Sequence, residues 1–219
     1  MFIEYLWQEP AFYFSWVLVV VFSICVHEYT HAWMACQQGD ETARSHGFLT
    51  LDPRRVMGVQ SLVALALFGI AWGAVPVDPR RFRHTLGNVL VSLSGPLANA
   101  ALAVFFAVAL TACRFLPASL PEGLYHATVL FTNVGVQANS LLLVFNLLPI
   151  PMLDGWAAAE AMCPPLRRLT AEQRGTYSLV AILLIWFSPL KSVVFRLSGL
   201  FQAIILGAID AVLTLFNLA

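Results

Sequence analysis

The feature that most constrains this chain is a series of long apolar stretches broken by short polar ones. Residues 11–37, 86–113 and 124–148 are each long enough to cross a bilayer as a helix, which takes about 20 residues for a core of roughly 30 Å. Two further apolar runs, 176–190 and 197–218, are separated by Pro189 and Lys191. Only 11% of the 219 residues are charged, against about 25% in a soluble domain. Charges that sparse cannot cover a water-facing surface, so most of the outside must face lipid. The expected fold is an all-α membrane protein with about five to six transmembrane helices. Residues 61–75 are apolar but short for a crossing, which predicts a short re-entrant or β-hairpin element near residues 47–75.

Turn chemistry sets the boundaries. Gly39 closes the first run as a helix C-terminal glycine. Pro117 and Pro121 mark a short turn, and Pro149 and Pro151 end the run 124–148 just before Leu153-Asp154-Gly155. Glu4 and Glu9, with no basic segment, precede the first run, so that helix is expected to stay rather than be cleaved off. There is no room for a second soluble domain, and residues 1–219 are expected to form one unit.

Loop charge gives an orientation. Let the first helix run from outside to inside, and let residues 61–75 dip in and return. The inner loops then carry Arg44, Arg54, Arg55, Arg80, Arg81, Arg83, Arg167, Arg168 and Arg174, while Arg114, Lys191 and Arg196 lie outside. A net charge of 0 without a clustered basic face excludes a nucleic-acid partner. Cys25, Cys36, Cys113 and Cys163 form no C-x-x-C pair and read as small apolar core residues.

The chemistry centres on His27-Glu28-Tyr29-Thr30-His31. On a helix, positions i and i+4 share a face, so both imidazoles can grip one ion. Glu28 stands beside them, where it can take a proton from a water that the ion activates. With five His and seven Glu in the chain, H-E-x-x-H arises by accident roughly 0.4% of the time. Its position inside an apolar helix makes chance a poorer account still, because ionisable groups are costly at membrane depth. A catalytic zinc takes three protein ligands and keeps one position open, and Asp154 completes that count. Depth agrees: His27 lies about 24 Å along a helix that starts at Ala11, near its inner end. Asp154 follows the inner end of the run 124–148.

These residues carry a resemblance. HEYTH, then SGPLAN, then NLLPIPMLDG is similar to the site-2 protease family (peptidase family M50), the intramembrane zinc metalloproteases. The likeness runs from about residue 20 to 160. HGFLTLDP, GAVPVDPRRF and the compact size resemble the minimal branch without PDZ or CBS domains. The resemblance implies a catalytic core over 11–160, followed by a helical hairpin over 176–218. It implies one Zn2+ per chain, held by His27, His31 and Asp154, with Glu28 as general base. It also implies hydrolysis of a peptide bond in or beside a transmembrane helix of a membrane-protein substrate. The expected setting is a bacterial cell (inner) membrane with the site toward the cytoplasm, and a homodimer is compatible with the sequence. Thr30, Met152 and Trp156 depart from the family pattern without removing a ligand or the base.

Asn139 and Asn146 lie on one face of the run 124–148, two turns apart. Asn139 matches a recurring family Asn and is a candidate catalytic residue, its amide holding the substrate carbonyl or oxyanion. The competing reading is interhelical hydrogen bonding. Asn146 is expected to satisfy backbone groups freed by Pro149 and Pro151. Ser94-Gly95-Pro96 reads as helix packing, and Asn99 as a partner for a neighbouring backbone. His46, His84 and His126 read as interfacial. Three rival functions remain open: a proteolytically inactive membrane binding protein, a metal-ion transporter, and a prenyl-protein-processing type of zincin. The last would need Glu160 as a ligand.

Overall fold

The structure, a computed structural model, describes residues 1–116 and 120–216. The expected turn residue Pro117 and the end of the expected C-terminal hairpin, residues 217 and 218, lie outside the described residues. A short helix α1 (Tyr5–Gln8) leads into α2 (Pro10–Gln37), with Pro10 at the first helical position. Gly39, at φ +98°, ends α2: its N–H donates to the Cys36 carbonyl and that of Asp40 to the Ala35 carbonyl. Then come α3 (Thr42–Ser45), α4 (Pro53–Val56), α5 (Gly58–Phe68), α6 (Gly87–Ala112), α7 (Glu122–Asn146), α8 (Gly155–Met162), α9 (Ala171–Phe187) and α10 (Leu190–Leu215).

Four of these are long and apolar enough to cross a membrane: α2, α6 with its short extension to Phe115, α7 and α10. Of the about five to six crossings expected, four are full-length helices, α5 is a shorter apolar helix, and α9 carries most of the run 176–190. Helices α2, α6 and α7 form the centre. Val19, Val20 and Ile24 of α2 meet Ala103, Phe106 and Ala107 of α6 and Val134, Val136 and Ala138 of α7, all buried. Ile205 brings α10 to the same cluster. The remaining faces of these helices expose Phe14, Leu18, Phe22, Phe105, Val108 and Leu200, as lipid-facing helices do.

The segment 47–78 turns back on itself. Helix α5 rises about 16 Å, half the hydrocarbon thickness, and ends at Gly69 in the left-handed region, φ +73°. Two aromatic side chains of α2 hold this tip: Trp16 Nε1 donates to the Gly69 carbonyl (3.0 Å) and the Tyr13 hydroxyl to that of Ala66 (3.1 Å). The chain then returns in extended form beside its own start, and Ala74 N–H donates to the Val56 carbonyl (3.0 Å). Of the two expected forms, this is a helix with an extended return. No β-strand occurs among the described residues.

Polar side chains fix the return segment at both ends. The buried Ser61 hydroxyl donates to the Trp72 carbonyl (2.6 Å) and accepts from the Trp72 N–H (2.8 Å). The buried Asp40 carboxylate accepts from the Asp78 N–H (2.6 Å), the Thr42 N–H and the Thr42 hydroxyl. Both backbone groups at Trp72 are satisfied without a sheet, which an apolar setting demands.

Candidate metal centre

The apolar face of α2 that enters the core also carries His27 and His31 inward, and both are buried. Their Nε2 atoms lie 3.0 Å apart. Asp154 reaches them from the start of α8: Oδ2 is 3.0 Å from His27 Nε2, and Oδ1 is 3.2 Å from His31 Nε2. A turn sets that approach. Leu153 N–H donates to the Ile150 carbonyl, with Pro151 and Met152 between. Met152 sits at φ +72°, a region that favours glycine, as the third residue of such a turn requires. The Ser178 hydroxyl of α9 donates to the Pro151 carbonyl and holds the turn from outside.

These three side chains are the group among the described residues whose ligand atoms converge as a metal requires, all within 4.8 Å of one another. The chemistry of the donors fits a cation. His31 Nδ1 faces the Val91 carbonyl at 2.7 Å, and a carbonyl only accepts, so neutral His31 points its Nε2 lone pair at Asp154. Asp154 Oδ2 is buried without a hydrogen-bond donor. Two imidazoles and one carboxylate with acceptor atoms turned toward a common point are the donor set of a catalytic zinc site.

Glycines shape the walls. A Cβ on Gly95 of α6 would press against Nε2 of both His27 and His31. A Cβ on Gly73, in the return segment, would come within 2.6 Å of Glu28 Cγ and 2.9 Å of its Oε1. The buried Glu28 therefore lies directly under the extended chain between Trp72 and Ala74. Sequence reading assigned Gly95 to helix packing and passed over Gly73, since nothing local marks either. Only the close approach of two backbones to the same side chains does.

Asn139 makes the interhelical hydrogen bond that was the competing reading of it. Its amide hydrogen-bonds Asn99 and the Gly135 carbonyl, and it reaches the cluster only through Asn99. Asn99 binds the His27 ring, not a neighbouring backbone: Oδ1 is 2.6 Å from His27 Nδ1. No hydrogen bond of the Asn146 side chain to backbone freed by Pro149 or Pro151 is found among the described residues, so the expected role is not seen. Thr30 joins two helices, its hydroxyl lying 2.7 Å from the His27 carbonyl and 3.2 Å from that of Ser94. Trp156 donates to Glu160 (2.7 Å), which also pairs with Arg174 (2.7 Å). Glu160 is thus engaged away from the histidines, and the rival that needs it as a ligand loses its residue. His46, His84 and His126 are exposed. Cys25, Cys36 and Cys113 are buried as expected, whereas Cys163 is exposed, because it ends α8 where the chain leaves the body.

Comparison with known proteins adds the following. The model of peptidase family M50 matches residues 15–134, which include the first two of the three converging side chains. YwhC of Bacillus subtilis, named as a zinc metalloprotease, is 34% identical over 184 residues, covering 81% of this chain and 82% of its own. Rip2 of Mycobacterium tuberculosis, also so named, is 35% identical over 192 residues, covering 83% of this chain and 71% of its own. Rip2 of Mycolicibacterium smegmatis is 33% identical, covering 81% and 71%. No solved structure matches the chain.

Proposed function

The chain belongs to peptidase family M50, and on that premise we propose that this multi-pass membrane metalloprotease cuts a peptide bond in or next to a transmembrane helix of another membrane protein. The observation that carries the reading is the convergence of His27 and His31, beside Glu28 on a helix apolar enough to cross a bilayer, with Asp154 at the start of α8. His27 Nε2, His31 Nε2 and the Asp154 carboxylate would hold one zinc ion. When bound, the ion supplies Lewis acidity and lowers the pKa of water to about 7.

The protein's own groups do the rest. The Glu28 carboxylate takes the proton of the attacking water and returns it to the amine that leaves. Burial under Gly73 keeps bulk water from competing for that proton. The return segment 72–78, held at both ends, lies over Glu28 and gives the substrate a wall of backbone rather than side chains. The hydrogen bonds of Asn139 favour a supporting role behind His27 over contact with the substrate carbonyl. The concentration of Arg residues in the loops at the Asp154 end supports a site facing the cytoplasm of a bacterial inner membrane.

The test is Glu28→Gln in reconstituted membranes. The variant is expected to keep one zinc per chain and to lose cleavage. Proteomics of membrane fragments, comparing wild type with this variant, would name the substrate. Wild-type turnover in the variant would refute Glu28 as the base. Stoichiometric zinc without any lost fragment would favour an inactive binding protein.

A further inference from the structure

The two histidines are held by different means. A backbone carbonyl fixes His31. His27 is fixed by two side-chain amides, Asn99 of α6 and Asn139 of α7, both completely buried. Amides are reversible in principle, because each has one donor end and one acceptor end. Here the far end of the chain removes that freedom.

The Gly135 carbonyl can only accept, so the Asn139 group 2.9 Å from it must be the NH2. The Asn139 oxygen then faces Asn99 and must accept, at 3.1 Å, from the Asn99 NH2. That leaves the Asn99 oxygen against His27 Nδ1 at 2.6 Å, and an oxygen there needs a proton on Nδ1. A neutral imidazole carrying Nδ1–H has its lone pair on Nε2, the atom that faces Asp154. The reverse polarity would set an oxygen against the Gly135 carbonyl and an NH2 against His27, with the ring's proton on the metal side.

We propose that Asn99 and Asn139 are positioning residues whose fixed polarity, set by the Gly135 carbonyl, locks His27 in the tautomer that can bind a metal. This rests on the reading of His27, His31 and Asp154 as a metal centre. Ordinary interhelical amide contacts would need no particular polarity. The relay also couples α7 to the metal face of α2 through α6.

The experiment measures zinc affinity of the purified full chain by competition with a chromophoric chelator, alongside thermal stability. Loss of an outer-shell partner typically weakens a metal site about 10–100-fold. Asn99→Leu and Asn139→Leu are expected to fall in that range. Asn99→Asp separates the readings. Its carboxylate accepts from His27 Nδ1–H as the amide does, so zinc affinity stays within about threefold of wild type or rises. The bond to Asn139 is lost, and stability falls. A packing role would make Asn99→Asp at least as harmful to zinc as Asn99→Leu, and that result overturns the proposal.

Should the Leu variants fail to fold, 15N NMR of the metal-free wild type decides. His27 must carry its proton on Nδ1, and a proton on Nε2 overturns the proposal. A wild type whose zinc is unaffected by His27→Ala refutes the metal centre itself. Zinc that is lost in His27→Ala but held at wild-type affinity by folded Asn99→Leu refutes the relay alone.

Discussion

Gly95→Ala is the sharpest single test of the way α6 is laid against the histidines. Its added methyl would stand 2.5 Å from His27 Nε2 and 2.6 Å from His27 Cε1, and against His31 Nε2. Ordinary contact begins near 3.4 Å, so His27 must give way by about 0.9 Å. Metal–ligand distances tolerate about 0.2 Å. The displacement is therefore several times what a zinc ligand can absorb. Alanine is also the better helix former by about 1 kcal/mol, so the α6 backbone has no local reason to reject it. The expected result is a folded, helical protein that has lost its zinc and its activity. The assay is metal content after dialysis, by mass spectrometry, with circular dichroism on the same sample. Gly207→Ala on α10, where nothing lies within 4 Å of an added Cβ, is the matched control and keeps its metal. One tightly held zinc per chain in Gly95→Ala would refute the close approach and the reasoning built on it.

Two further outcomes are expected from the return segment. Ser61→Ala leaves the N–H and carbonyl of Trp72 without their partner. At about 1–3 kcal/mol for each unmet buried group, it should lower Tm and speed amide exchange at Trp72 and Gly73; unchanged exchange there would count against the pin. The Asp40 carboxyl is opposed by burial, yet hydrogen bonds from Asp78 and Thr42 and the charge of Arg81 outweigh that and hold its pKa below the usual range. A depressed carboxylate stabilises the fold above its unfolded pKa near 4, and that stability drains as pH falls through the lower folded value. Asp40→Asn should therefore lower Tm near neutrality and flatten its acid dependence below pH ~4; parallel Tm–pH curves would refute the assignment.

Much of the centre could be read in the sequence because its chemistry is locally periodic. His27 and His31 share a helix face by spacing alone, and Leu153-Asp154-Gly155 follows a proline break that any reader of turns would mark. Residues 61–75 were legible as too short for a crossing. The form of their return was not, because the tip at Gly69 is held by side chains of α2 and the extended chain after it by Ser61, which only packing brings there. Asn139 carried two readings, substrate contact and interhelical bonding. The partner that takes up its amide, Asn99, lies 40 residues away on another helix, so sequence alone could not show that bond. Gly95 and Gly73 carry no side-chain chemistry at all. Their importance lies in what would collide with them, and that exists only once three segments are packed.

Helix α9 has only Ser178 buried, on the Pro151 carbonyl, and its charged first turn is tied down by Arg174 on Glu160. An element fastened at so few points opens by itself at a free energy well below that of global unfolding. Each opening withdraws the hydroxyl from Pro151 and slackens the turn that launches Asp154. Linkage makes the relation mutual: an ion gripped by Asp154 raises the cost of lifting α9, and whatever lifts α9 weakens that grip by the same factor. Amide exchange along α9, 140 residues or more from HEYTH in the chain, thus becomes a gauge of whether the centre is loaded.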